Sequence, residues 1–241
     1  MKRFDAGTWA ASPLSRRGLD LSRFETERRS VMEICARVAI EGDRALREYS
    51  AEFDGWAPRD DETFEVAAGE PAAAAGRLDK SDREALEFAA QRIRDFHSRQ
   101  MDAARGGSPG LELITRPVQR AGVYAPGGRA AYPSTVLMTA IPARVAGVRE
   151  VILATPPRAD GTVPTAILAA AHIAGVDAVY RLGGAQAIAA MAYGTGSIPR
   201  VDLIAGPGNI YVNLAKREVF GAVGVDGIAG PTEVMVIADA N

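Results

Sequence analysis

Beyond residue 110, strand-like and helical runs take turns along the chain, and that rhythm leaves few folds open. Short apolar, β-branched runs predict strands over 111–115, 119–124, 150–154, 177–181, 200–205 and 233–238. Between them, apolar residues at helical spacing predict helices over 134–147, 164–174, 184–193 and 209–220. Strands joined through helices at this spacing pair in parallel, and the helices lie on the faces of the sheet. The expected class is therefore α/β, built on a Rossmann-like parallel sheet layer.

The first part of the chain reads as mainly helical. Ser22-Arg-Phe-Glu25 has the form of a capping box, in which hydroxyl and carboxylate each satisfy an orphan amide of the first turn. Val31, Ile34, Cys35 and Val38 follow at helical spacing and should face a core. Gly42 interrupts that run, and Asp43 is placed to cap a second helix with Leu46, Tyr49 and Phe53 on its apolar face. Asp54-Gly55 is a turn signal, and Thr63 to Val66 alternates as a short strand would. A second capping box, Ser81-Asp-Arg-Glu84, opens a long helix through Phe88, Ile93 and Phe96 to about Gln100. The glycine-rich loop 103–110 ends this part. The expected division is 1–119, a mainly helical part of an incomplete first domain; 120–229, a Rossmann-like α/β domain; and 230–241, a truncated strand returning to the first domain.

Four glycine turns stand at strand boundaries: Tyr124-Ala-Pro-Gly-Gly128, Gly183-Gly184-Ala185-Gln186, Gly206-Pro-Gly-Asn209 and Gly230-Pro-Thr-Glu233. Glycine lets a ligand approach the backbone, and the amino terminus of a helix offers amides to a phosphate. Several such turns on one sheet edge make a nucleotide crevice. The βα geometry demands glycine turns whether or not anything binds, and neither G-x-G-x-x-G nor a Walker sequence is present. Gln186 and Asn209 add neutral amides that donate and accept at two of these junctions. Asn209 can equally cap its own helix, and the two roles coexist. Thr232-Glu233 pairs a hydroxyl with a carboxylate beside the last turn.

Other chemistries find little support. Cys35 sits on an apolar helix face, as inert packing does. His97 lies on the long helix in Phe-His-Ser-Arg-Gln, and His172 lacks a second ligand or an acid one turn away, so structural roles are expected for both. There is no H-x-x-x-H and no C-x-x-C, and an ordinary zinc site is not expected from these residues alone. One cysteine excludes an internal disulfide framework. Lys and Arg are dispersed in a chain of net charge −2, which argues against a nucleic-acid-binding face. No apolar run approaches a membrane span or a signal peptide, so the cytoplasm is the expected compartment.

Taken in order, several segments resemble the histidinol dehydrogenase family. They are Gly122-Val-Tyr-Ala-Pro-Gly-Gly128, Pro133 to Ala143, Gly183 to Gly194, Gly206-Pro-Gly-Asn209, Ala215-Lys-Arg217, and Ala229-Gly-Pro-Thr-Glu-Val234 leading to Ile237-Ala-Asp239. Phe96-His-Ser-Arg-Gln100 adds weaker support. The resemblance runs from about residue 22 to the end. It implies an aldehyde dehydrogenase-like fold and a homodimer. It also implies NAD-dependent, zinc-assisted oxidation of L-histidinol to L-histidine through L-histidinal, in histidine biosynthesis. Tyr124, Gln186 and Asn209 match the family's NAD-contacting positions. Thr232 matches a substrate-contacting position that is usually serine. The family's Gln-x-x-His zinc segment, its Glu-His acid/base pair and its further ligands follow the Ile-Ala-Asp strand and do not occur in these 241 residues. The expectation is a truncated chain, inactive by itself. The alternative is a short non-catalytic paralogue that binds a nucleotide or a protein partner.

Overall fold

The computed structural model describes residues 24–59, 61–104, 114–127 and 131–228. Helices α1 (Glu25–Glu41) and α2 (Asp43–Tyr49), a π-turn (Ser50–Asp54), α3 (Glu70–Arg77) and α4 (Lys80–Ala104) precede the sheet. Then follow β1 (Arg120–Tyr124), α5 (Pro133–Val145), β2 (Glu150–Thr155), α6 (Thr165–Ala174), β3 (Ala178–Arg181), α7 (Gly184–Tyr193), β4 (Leu203–Ala205), α8 (Ile210–Val219) and β5 (Gly224–Val225). The strand order is β3-β2-β1-β4-β5, with every pair parallel. The order reverses between β1 and β4, where Val123 lies opposite Leu153 on one side and Ala205 on the other.

Both faces of the sheet are covered, which is why its strands read as near-continuous apolar runs. Ala121, Val123, Val151, Leu153 and Val179 point to the layer formed by α5 and α6. Tyr124, Ile152, Ala154 and Tyr180 point the other way, toward α7 and α8. The helices before residue 120 complete both layers. α1 packs on α7 and α8 through Val31, Ile34, Cys35 and Val38, all buried as the helical spacing predicts. On the opposite face α3 packs on α6, and α4 on α5. Burial pushes the Cys35 thiol up to about 12, with a smaller contribution from Glu218, so Cys35 is a neutral packing group.

Within the described residues, strands β1 to β4 and helices α5 to α8 fall within three residues of the sequence expectation. Residues 114–115 lie in no strand, and 111–113, the run 233–238 and the Ser22 cap lie outside the described residues. Thr63 to Val66 forms no full strand. It lies on the open edge of β3, where Glu65 makes a single antiparallel bridge to Tyr180. The Val66 amide donates to Val179 at 2.8 Å and the Arg181 amide to Phe64 at 2.9 Å, which blunts an otherwise bare edge. Asp43 does not cap α2. Gly42 holds the cap position, and the Asp43 carboxylate instead accepts from the Ser197 amide and hydroxyl at 3.2 and 2.7 Å. Phe53 is 52% exposed and stacks on the buried Tyr49 rather than joining the core. Ser81 lies one residue inside α4 rather than ahead of it. The short α3 and β5 carry no strong periodic signal; α3 is alanine-rich and is held by its fit against α6.

Candidate functional site

The strand ends carry the turns singled out in the sequence, and the packing explains their composition. Gly206 follows β4 with φ at +131°, and a β-carbon there would stand 2.1 Å from the Tyr124 carbonyl oxygen. Only glycine lets the β4 turn lie against the end of β1. Lys216 of α8 holds this turn from beneath. It is 2% exposed, its Nζ donates to the Gly206 carbonyl, and it pairs with Asp226 Oδ1 at 2.6 Å. Asp226 Oδ2 in turn accepts the Gly206 amide at 2.9 Å. A buried ammonium needs such partners. Here they clamp both polar groups of the Gly206 peptide.

Asn209 caps α8, its Oδ1 accepting the Val212 amide at 3.1 Å. Asn213 Nδ2 donates back to the Gly208 carbonyl at 3.3 Å. Gln186 lies in the first turn of α7 and is 1% exposed. Its Nε2 donates to Asp54 Oδ2 at 3.3 Å, and the same oxygen accepts the Gly183 amide at 3.2 Å. A β-carbon on Gly183 would meet Asp54 Oδ1 at 2.6 Å, so this carboxylate requires the glycine. Tyr124, 3% exposed, accepts the Gly184 amide on its hydroxyl at 3.1 Å.

Burial raises the Asp54 carboxyl to about 6, against the pull of the Gly183 and Gln186 hydrogen bonds. Burial likewise pushes the Tyr124 phenol up to about 12, helped by the Asp54 charge and opposed by the Gly184 amide. Tyr124 is therefore a neutral hydroxyl beside a carboxyl pushed well above its ordinary range.

Gln186 and Asn209 line one cleft of about 310 Å³, with Ser30 and Ile34 of α1, Phe53, Gly184, Ala185 and Tyr211. It opens at the carboxyl ends of β3 and β4, where α/β sheets bind ligands. Tyr124 stands one layer behind and reaches the cleft through the Gly184 amide it holds. The structure thus brings two of the three expected cofactor residues into one cleft and places the third as their support. Thr232 lies outside the described residues. The Gly206 turn also borders a second hollow of about 460 Å³, with Thr135, Met138, Thr139, Lys216 and Asp226.

Sequence reasoning missed Asp54, Lys216 and Asp226. Asp54-Gly55 reads as a plain turn, and nothing in the sequence ties it to Gln186, 132 residues later. Lys216 stands one turn before the end of α8, where a solvated lysine is ordinary. Two amides at the start of α7 are already engaged. Gly183 and Gly184 already donate to Asp54 and Tyr124, and a carboxylate occupies the place an anion would take. His97 shares a hydrogen bond with Gln100 on the surface of α4, and His172 lies on α6 beside Gly76, Arg83 and Glu84, both away from this cleft.

The profile of the histidinol dehydrogenase family matches residues 19–241. Histidinol dehydrogenase from Synechococcus sp. is 51% identical over 214 residues, covering 87% of this chain and 49% of the relative. That from Geobacillus kaustophilus is 48% identical over 221 residues, covering 89% and 51%. The crystal structure of histidinol dehydrogenase from Elizabethkingia anophelis superposes with a TM-score of 0.76 at 34% identity, over 90% of this chain and 49% of that one. The chain spans about half the length of the curated relatives it matches. Ordered motifs, parallel sheet and superposition agree: this chain belongs to the histidinol dehydrogenase family.

Proposed function

We propose that the cleft between α1, α7 and α8 is an NAD⁺ seat, and that the chain serves the NAD-dependent oxidation of L-histidinol to L-histidine through L-histidinal. The observation that carries this reading is the convergence of Gln186 and Asn209 on one cleft at the carboxyl ends of β3 and β4. These are the residues that match the family's cofactor positions. Bound there, NAD⁺ accepts the hydride. Gln186 and Asn209 supply polar contacts, Tyr124 holds the start of α7, and the Lys216 clamp holds the turn that presents Asn209. Residues 120–229 are then the nucleotide-facing unit, served from residue 54 by the part before 120. Thr232 matches the family's substrate-contacting position.

The reading includes a homodimer in the cytoplasm. Among the described residues, no helix is long and apolar enough to cross a membrane. Zinc, which the resemblance implies, does not fit the described residues: no three His, Cys, Asp or Glu side chains come together among them.

Titration of the ¹⁵N-labelled chain with NAD⁺ tests the seat. Saturable shifts are expected at the Gly184 amide, the Gln186 side chain and Asn209. Unchanged signals at all three, up to millimolar NAD⁺, would remove the reading.

A further inference from the structure

The side-chain amide of Gln186 can face the cleft either way round: as a donor through Nε2 or as an acceptor through Oε1. Asp54 decides between them. An ionised carboxylate only accepts, so the group turned to it must be the NH₂, and the structure has Nε2 on Asp54 Oδ2 at 3.3 Å. Oε1 then lies on the other side, against Gly184, a residue of the cleft wall. A β-carbon on Gly184 would stand 2.6 Å from it. Among the described residues no group donates a hydrogen bond to Oε1, and it is not among the fully buried atoms left unpaired.

The same carboxylate accepts the Gly183 amide at the start of α7, and Tyr124 covers the next amide. A second anion placed beside it would meet a like charge, with the Gly183 and Gly184 amides already engaged. This wall of the cleft therefore presents an acceptor with a negative charge behind it.

We propose that Asp54 is a positioning residue for the nucleotide: it locks the Gln186 amide with Oε1 toward the cleft, so that the Gln186 side of the cleft takes a hydrogen-bond donor of the ligand. The inference rests on the dinucleotide reading and adds to it which end of the Gln186 amide the ligand meets. It also adds a dependence on the charge of Asp54. When Asp54 gains a proton it can donate, and the amide loses its fixed orientation. Burial sets that event at about 6. The groups around Asp54 leave the assignment clean. β1 contributes Tyr124, which stays neutral; α7 contributes Gln186 and the Gly183 amide; the α1 flank of the cleft contributes Ser30 and Ile34. Both histidines lie on α4 and α6, on the opposite face of the sheet.

The experiment uses the ¹⁵N-labelled 241-residue chain, wild type and Asp54→Asn, with and without NAD⁺. In the ligand-free wild type, the Gln186 side-chain NH₂ signals are expected to titrate with a midpoint near the Asp54 value, and in Asp54→Asn to be flat. If only the ionised form is competent, the apparent NAD⁺ affinity of the wild type falls about 10-fold from pH 7.5 to pH 5. In Asp54→Asn it is weaker at pH 7.5 and independent of pH. Equal wild-type affinity at the two pH values, or a wild-type pH profile in Asp54→Asn, overturns the proposal. Absence of NAD⁺ binding by the wild type at either pH sinks the cofactor reading itself and the ligand half of this inference with it. The two failures are distinguishable, because the ligand-free titration needs no NAD⁺.

Discussion

Gly206 and Tyr124 approach so closely that a β-carbon on Gly206 would stand 2.1 Å from the Tyr124 carbonyl oxygen. The contact joins the turn after β4 to the end of β1, across the point where the strand order reverses. The neighbour is backbone, which has little freedom to yield.

Gly206→Ala should therefore cost about 3–4 kcal/mol, combining steric overlap with a φ of +131° that alanine rarely adopts. Urea denaturation measures it. A loss under about 1 kcal/mol would show that the turn moves freely, against the close approach described here.

Lys216→Met keeps most of the buried stem and removes the ammonium. The Gly206 carbonyl and Asp226 then lose their donor, at a cost of about 2–3 kcal/mol. Asp226 is 39% exposed, so water recovers part of its share and the value stays below that of a fully buried pair. A variant as stable as the wild type would mean that the clamp contributes nothing net.

Asp54 has a stability signature of its own. Burial raises its carboxyl from 3.8 to about 6, so between those values the folded chain keeps a proton that the unfolded chain has released. Its contribution is present at low pH and is lost as pH rises through that window. Asp54→Asn does not titrate. The stability of the variant relative to the wild type should therefore increase by about 1–3 kcal/mol from pH 4 to pH 7. Denaturation curves at both pH values read the difference, and a gap that stays constant or narrows rules this out.

Asn209 separates capping from binding. Asp is as good an N-cap as Asn, and its charge suits the amino terminus of α8. Asn209→Asp should keep the stability of the fold within about 0.5 kcal/mol while weakening NAD⁺ binding about 10-fold, because the side-chain donor is gone and a charge faces an anionic ligand. Asn209→Ala should lose about 1 kcal/mol of stability as well. Calorimetric titration beside thermal melts resolves the two effects. Unchanged affinity in Asn209→Asp would assign Asn209 to the cap alone.

Much of the sheet was legible because its signals are local. The βα rhythm that marks β1 to β4 and α5 to α8 depends on apolar period and turn residues within a dozen positions. The core face of α1 was readable for the same reason, as Val31, Ile34, Cys35 and Val38 repeat on one side of a helix. Readings failed where a side chain had a distant partner. Asp43 looks like a cap because helix starts are where aspartate serves, yet Ser197 takes its carboxylate. Thr63 to Val66 looks like a strand, yet only the β3 edge gives it anything to pair with.

The candidate site divides along the same line. Gln186 and Asn209 are marked by their place at strand-to-helix turns, and family resemblance names them; the sequence alone determines the α/β class, the order of its elements and these two amides. Which amides share a cleft, that Tyr124 supports the wall from behind, and that Asp54, Lys216 and Asp226 belong to the site were decided only by the tertiary structure. The reason is physical: hydrogen bonds and desolvation act over a few ångströms of space, and folding brings within that range a carboxylate and an amide that are 132 residues apart along the chain.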